Sequence, residues 1–311
     1  MPTTSHASTA GDAGTWTLGD RTVHRMGFGS MRITANPDRD LAIAVLRRAV
    51  DLGVNHIDTA AFYFSPGGTL KVGSGPTRWA TELIREALWP YPDDLVIATK
   101  VGPSYDPVAG STPQATSPAA LRAQVEENLR RLGRDHLDVV NLRILKRPGH
   151  DSVAERFGAL ADLRDAGLIR HLGLSNVRVD HLDEAEPIAP VVCVQNSYAL
   201  DNRTDDGLLR TCGERGVAFV PYFAIAGARR EAGAEARHDE AVRAVARAHG
   251  VTPHQVRLAW TLHQGAHVLA IPGTGDPDHL VENIAAGALR LTPEELARLD
   301  APVVEEPAQP A

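Results

Sequence analysis

The chain predicts a parallel (β/α)8 barrel closed at its base by an N-terminal β-hairpin, and three observations carry that reading. Short apolar runs of strand length alternate with stretches of helical periodicity eight times over the 311 residues. Gly53, Gly133, Gly167, Gly216 and Gly250 each follow a helical stretch, as left-handed C-caps do. No shift in composition marks a second domain. The rival, an open doubly wound sheet, would carry Gly-x-Gly-x-x-Gly after its first strand. Gly27-Phe28-Gly29-Ser30-Met31-Arg32 begins that way, but it lacks the third glycine and no helix follows directly.

In chain order, residues 1–13 are rich in Ser, Thr, Ala and Gly without an apolar segment, so a disordered tail is expected there rather than a signal peptide. The barrel domain is expected over 14–302, with a flexible tail over 303–311. Thr15–Leu18, a Gly19-Asp20 turn and Arg21–His24 read as the hairpin plug. Strands are expected at Met26–Met31, Asn55–Thr59, Leu95–Lys100, Val139–Lys146, His171–Ser175, Val191–Gln195, Ala218–Tyr222 and Val268–Ile271. Helices fill 39–52, 78–88, 118–132, 153–166, 178–186, 203–215 and 238–264, the last interrupted near Gly250 and Pro253. Ser117-Pro118 and Thr292-Pro293 each set an N-cap before a first-turn proline. Two long Gly/Pro-rich connections, Phe64–Thr77 and Gly102–Thr116, read as binding loops or lids.

Composition narrows the partners. A hydrophobic fraction of 43% suits one large core, and a net charge of −7 without a dense basic run argues against nucleic acid or anionic membrane. No run is long and apolar enough to span a bilayer, so a cytoplasmic location is expected. Cys193 and Cys212 read as buried core thiols. The histidines show no ligand spacing, so no metal is expected, and His254, His263 and His267 read as solvated. Oligomeric state is not legible.

The chemistry concentrates where apolar runs end on polar groups. His56-Ile57-Asp58-Thr59-Ala60-Ala61-Phe62-Tyr63 closes one strand, and Leu95-Val96-Ile97-Ala98-Thr99-Lys100 closes the next. Barrel enzymes place their reacting groups at such strand ends. A phenol with an ordinary pKa of about 10 is a poor proton donor at neutral pH. An ammonium beside it stabilises the phenolate, and a carboxylate keeps that ammonium charged and oriented. Asp58, Tyr63 and Lys100 therefore suit protonation of a carbonyl oxygen as hydride reaches its carbon.

This stretch resembles the aldo-keto reductase family, whose Asp-Thr-Ala-x-x-Tyr and strand-ending Lys match Asp58, Thr59, Ala60, Tyr63 and Lys100. The resemblance runs from about Trp16 to Asp300. It implies a TIM barrel that reduces an aldehyde or ketone, a small-molecule carbonyl, with NADPH or, alternatively, NADH. Asp138–Ile144 and Ala218–Phe223 look most similar to the bacterial pyridoxal reductase-like branch, which suggests a pyridoxal-like carbonyl or one of secondary metabolism. A lyase or isomerase barrel, or a cofactor-binding redox sensor or scaffold with little turnover, are the rival readings.

The other strand ends suit the cofactor. Ser175, Asn176 and Gln195 offer hydroxyl and amide groups for a planar amide, and Tyr222 offers a face for a flat ring. In the resembled family these positions hold and stack the nicotinamide. Gly273-Thr274-Gly275-Asp276 before a short helix forms an anion-binding loop, with His279, Glu282 and Asn283 on that helix. The resemblance places Glu282 and Asn283 at adenine. It also marks two departures, Gly273 for a usual Lys and His279 for a usual Arg, both of which grip the 2′-phosphate of NADP.

The family's fourth catalytic position, a histidine, aligns with Lys146. A period of two puts Lys146 on the face of Leu142 and Ile144, taken as the barrel interior, with Arg143 opposite. A one-residue slip or bulge would exchange those roles and make Arg143 the donor, whereas a Lys146 turned out to solvent with Arg147 would leave the site without a fourth member.

Overall fold

A computed structural model of the chain describes residues 8–68, 70, 72–104, 113–145, 151–225 and 240–301. Strands β1 (Thr15–Leu18) and β2 (Arg21–His24) pair antiparallel, as expected. Next come β3 (Phe28–Gly29), α1 (Arg39–Asp51) and β4 (His56–Asp58). The long connection after β4 is not a plain loop. It is closed at its base by an antiparallel ladder, β5 (Phe64–Ser65) with β6 (Arg78–Trp79), whose Phe64 and Trp79 rings lie 5.8 Å apart.

Then follow α2 (Ala80–Leu88), β7 (Val96–Val101), α3 (Pro118–Leu132), β8 (Leu137–Arg143), α4 (Ala154–Asp165) and β9 (Ile169–Ser175). The chain continues through α5 (Val179–Ala185), β10 (Val191–Gln195), α6 (Asp206–Glu214) and β11 (Ala218–Phe219). Helices α7 (Glu240–His249), α8 (Pro253–His263), α9 (Pro277–Ala285) and α10 (Pro293–Asp300) complete it. The caps form as the sequence implies. Ser117 accepts from Ala120 N at the start of α3, Gly133 ends it at φ 67°, and Thr292 with Glu295 makes a capping box on α10.

Strands β3, β4, β7, β8, β9, β10 and β11 form one seven-stranded sheet, parallel at every pair. The expected eighth strand contributes only bridges, Phe219 with Val268 and Met26 with Ala270. These suffice to close the barrel, because Leu269 N donates to Phe219 O at 2.9 Å and Ala270 N to Arg25 O at 2.8 Å. The segment stays short because Pro272 has no N–H to continue the ladder. The first and seventh expected strands shorten too, Met31 beginning a 3-10 turn and Tyr222 joining Ser197 by a single bridge.

Side chains alternate as a barrel requires. Leu18 and Val23 of the hairpin pack with Val96, Ala98, Val139, Cys193, Ala218, Val220 and Leu269 in an inner cluster. The plug therefore fills the bottom of the barrel. Alternate residues Val140, Leu142, Leu172, Leu174 and Val194 pack outward in the larger cluster shared with the helices. Above the apolar inner layer the interior turns polar, with Asp58, Lys100, Asn141 and Gln195 all buried. Space there is tight: a Cβ on Gly173 would lie 2.1 Å from Asn141 Oδ1. Both cysteines are free and buried, and burial pushes each thiol up to about 12.

The disordered tail expected through residue 13 does not extend that far. Ala10–Ala13 form a 3-10 turn with Ala10 and Ala13 buried, and Ala10 N donates to Leu52 O at 2.8 Å. Small apolar residues three apart bury one face of such a turn, a signal hidden within an Ala/Gly-rich composition. Residues 1–7 of the expected N-terminal tail and the whole of the expected C-terminal tail, 303–311, lie outside the described residues. No helix among the described residues is long and apolar enough to cross a membrane.

Candidate active site

Strand β4 delivers Asp58 and strand β7 delivers Lys100 to the C-terminal rim, since residues of the same parity on adjacent parallel strands face the same way. Lys100 is 2% exposed, and its Nζ donates to Asp58 Oδ1 at 2.7 Å, Oδ2 at 2.5 Å and Thr59 O at 2.9 Å. A buried ammonium needs such compensation. Burial alone would lower the Lys100 pKa; the Asp58 carboxylate and the Tyr63 phenol outweigh it and hold the ammonium above its usual range.

Tyr63 joins this pair. Its ring centroid lies 4.7 Å from Lys100 Nζ, and Phe62 packs edge-on against it at 5.2 Å. The net pKa direction differs from the sequence expectation. Burial raises the phenol, and Lys100 and Arg143 only partly oppose it. The ammonium lowers what desolvation has raised, so its effect is compensation rather than outright depression.

The expected cofactor residues come together on the same rim, each already engaged. Gln195 Nε2 donates to Asp58 Oδ1 at 2.7 Å, while Gln195 Oε1 is buried with no partner among the described residues. Asn176, at φ 61°, donates to Ile144 O at 2.6 Å and faces the Tyr222 hydroxyl at 3.4 Å. Ser175 Oγ accepts from Arg143 NH1 at 3.0 Å. The unpaired amide oxygen of Gln195 fits an N–H of a carboxamide, so this donor set suits a nicotinamide.

A cavity of about 1250 Å3 runs from Asp58, Tyr63 and Arg143 past Tyr222 to Gly273, Thr274, Gly275, His279, Glu282 and Asn283. The loop at its far end differs from a bare anion site. Asp276 caps α9, accepting from Asp278 N at 2.8 Å and His279 N at 3.1 Å, and these bonds hold its carboxyl below the usual range. The helix's first donors are thus taken by an internal carboxylate. Gly273 has a steric reason: a Cβ there would lie 2.4 Å from Gly29 O.

Two readings are corrected. Leu142 and Ile144 pack outward among the helices, whereas Val139 belongs to the inner cluster, so the interior parity of β8 is Val139, Asn141, Arg143. Arg143 lines the cavity, with its guanidinium 4.9 Å from the Tyr222 ring centroid. No slip or bulge is involved, since Arg143 pairs with Ser175 in continuous register. Lys146 itself lies outside the described residues. The histidines are also less solvated than expected. His267 is buried and bonded to Leu209 O, His263 is bonded to Ala259 O, and His254 lines the cavity.

The profile of the Aldo/keto reductase family matches residues 25–303. The chain belongs to the aldo/keto reductase family. Among curated relatives, pyridoxine 4-dehydrogenase of Escherichia coli is 42% identical over 297 residues, covering 92% of this chain and 97% of that one. Two solved aldo-keto reductases of Klebsiella pneumoniae are similar in fold. One, in complex with NADP and acetate, is 30% identical with a TM-score of 0.73, covering 92% of this chain and 94% of that chain. The other, in complex with NADPH, is 27% identical with a TM-score of 0.74, covering 95% of each. As an aldo/keto reductase, the chain is a nicotinamide-dependent oxidoreductase acting between carbonyl and alcohol.

Proposed function

We propose that this aldo/keto reductase reduces an aromatic aldehyde of the pyridoxal type to its alcohol, with NADPH as the reductant and Tyr63 as the acid. The observation that carries the reading is the buried Asp58–Lys100 pair set against Tyr63 at one end of the long cavity. The similarity to the E. coli pyridoxine 4-dehydrogenase supports the substrate class. The Klebsiella structures support the cofactor.

The cofactor supplies the hydride when bound. Ser175, Asn176 and Gln195 would hold its carboxamide, Tyr222 would lie against its ring, and the loop Gly273–Asp276 would meet its phosphates. As the carbonyl carbon gains hydride, the C=O electron pair moves onto oxygen. Tyr63 gives that oxygen its proton, and Lys100 stabilises the phenolate left behind. Asp58 keeps Lys100 charged and in place. Catalysis then rests on a preorganised acid and on holding the carbonyl beside it.

Mixing the protein with NADPH or NADH and a panel of aldehydes that includes pyridoxal tests this directly. Aldehyde-dependent loss of the reduced-nicotinamide absorbance is the expected outcome. Reduction of none of the panel with either cofactor would overturn the reading.

A further inference from the structure

Arg143 is an unusual group to meet beside a carbonyl. A neutral hydrogen-bond donor there can grip one oxygen, whereas a guanidinium carries five N–H donors in a planar fork that matches two oxygens at once. Among the described residues its hydrogen-bond acceptor is Ser175 Oγ, reached by NH1 at 3.0 Å. The backbone beneath it is fixed: Gln114 Nε2 donates to Arg143 O at 3.1 Å, Gln114 Oε1 accepts from Leu145 N at 2.9 Å, and Asn176 Nδ2 holds Ile144 O at 2.6 Å. The fork shares its cavity with Tyr63 and with the aromatic side chains of Phe62, Tyr222 and Phe223.

We propose that Arg143 reads the substrate, gripping the reacting carbonyl oxygen together with an anionic oxygen on the neighbouring ring carbon. It therefore selects ortho-oxygenated aromatic aldehydes over plain ones. The idea rests on the carbonyl reduction proposed above and adds to it the chemical feature that is recognised. Aromatic walls suit a flat ring, and the guanidinium supplies the positive charge that an ionised ortho-hydroxyl requires. Pyridoxal, with a hydroxyl beside its aldehyde, has that arrangement. The grip also orients the carbonyl, because two bonds fix the ring's rotation where one would leave it free.

The test compares 2-hydroxybenzaldehyde, 4-hydroxybenzaldehyde and benzaldehyde at a pH where the hydroxyls are ionised, in wild type, Arg143→Met, Arg143→Lys and Arg143→His. Wild type is expected to prefer the ortho isomer in kcat/KM by about tenfold or more, the worth of one charge-assisted hydrogen bond. Arg143→Met and Arg143→Lys, which lack the fork, are expected to bring the ortho-to-para ratio near one. Arg143→His, which sets a single ring donor in place of the fork, is expected to bring that ratio near one as well. A wild-type ratio near one, or a ratio retained in Arg143→Met or Arg143→Lys, would overturn the proposal. Calorimetric binding of the same aldehydes to wild type and to Arg143→Lys needs no turnover. If no aldehyde is reduced, the proposed function fails, while the ortho-to-para ratio of dissociation constants still decides the role of Arg143.

Discussion

Gln195 and Lys100 donate to the same oxygen of Asp58, each at 2.7 Å, so one buried carboxylate joins the acid-tuning pair to a residue expected at the nicotinamide. Loss of that carboxylate leaves the Lys100 ammonium buried and uncompensated. Asp58→Asn is expected to cost about 3–5 kcal/mol of stability, the usual penalty for breaking a buried pair from one side. Denaturant midpoints check this, and a loss below about 1 kcal/mol would contradict a buried ion pair.

Lys100→Met removes the charge that opposes desolvation of Tyr63. The phenol should then titrate still higher, and the alkaline limb of the carbonyl-reduction pH profile should move up while kcat falls. An unmoved limb, read from kcat against pH, would show that Lys100 does not act on the phenol.

The two departures from the family's 2′-phosphate grip are expected to behave oppositely. Gly273→Lys forces a Cβ to 2.4 Å from Gly29 O, so the loop must shift. A cost of roughly 1–3 kcal/mol and weaker cofactor binding should follow. His279→Arg replaces an exposed side chain and adds a permanent charge, so it should favour NADPH over NADH by roughly tenfold. Fluorescence titration of each variant with both cofactors distinguishes them.

Buried His56 sets an acid limit. Burial, with a smaller contribution from His24, lowers its pKa from 6.5 to about 4, and neither ring nitrogen has a partner among the described residues. The unfolded chain takes up a proton as pH falls below 6.5, whereas the folded chain does not until about 4. Stability should therefore be full above pH 6.5 and fall across that window by roughly 3 kcal/mol. Unfolding free energies at pH 7 and 4.5 should differ less in His56→Leu; an equal difference would show that His56 does not set the acid limit.

Much of this was legible in the residues, and the failures have physical causes. Strand ends announced Asp58, Lys100, Ser175 and Gln195 because an apolar run closing on a polar group is a local pattern. The parity of β8 was not legible. Asn141, Leu142, Arg143 and Ile144 do alternate, but in a strand buried on both faces the apolar side need not be the inner one, and here the polar side faces the interior. Arg143 was consequently turned outward, and its place in the cavity needed the register with Ser175. The Asp276 cap was readable from Asp-Pro before a helix, yet the same residues also read as an anion loop. The cap competes with that loop for the same backbone donors.

Single-turnover reduction of pyridoxal by Tyr63→Phe with bound NADPH tests most directly whether Tyr63 delivers the proton. Cofactor affinity should be nearly unchanged, and the rate should fall by roughly 10²–10⁴, the usual worth of a positioned general acid. A rate close to wild type in a folded, cofactor-binding Tyr63→Phe protein would contradict that role.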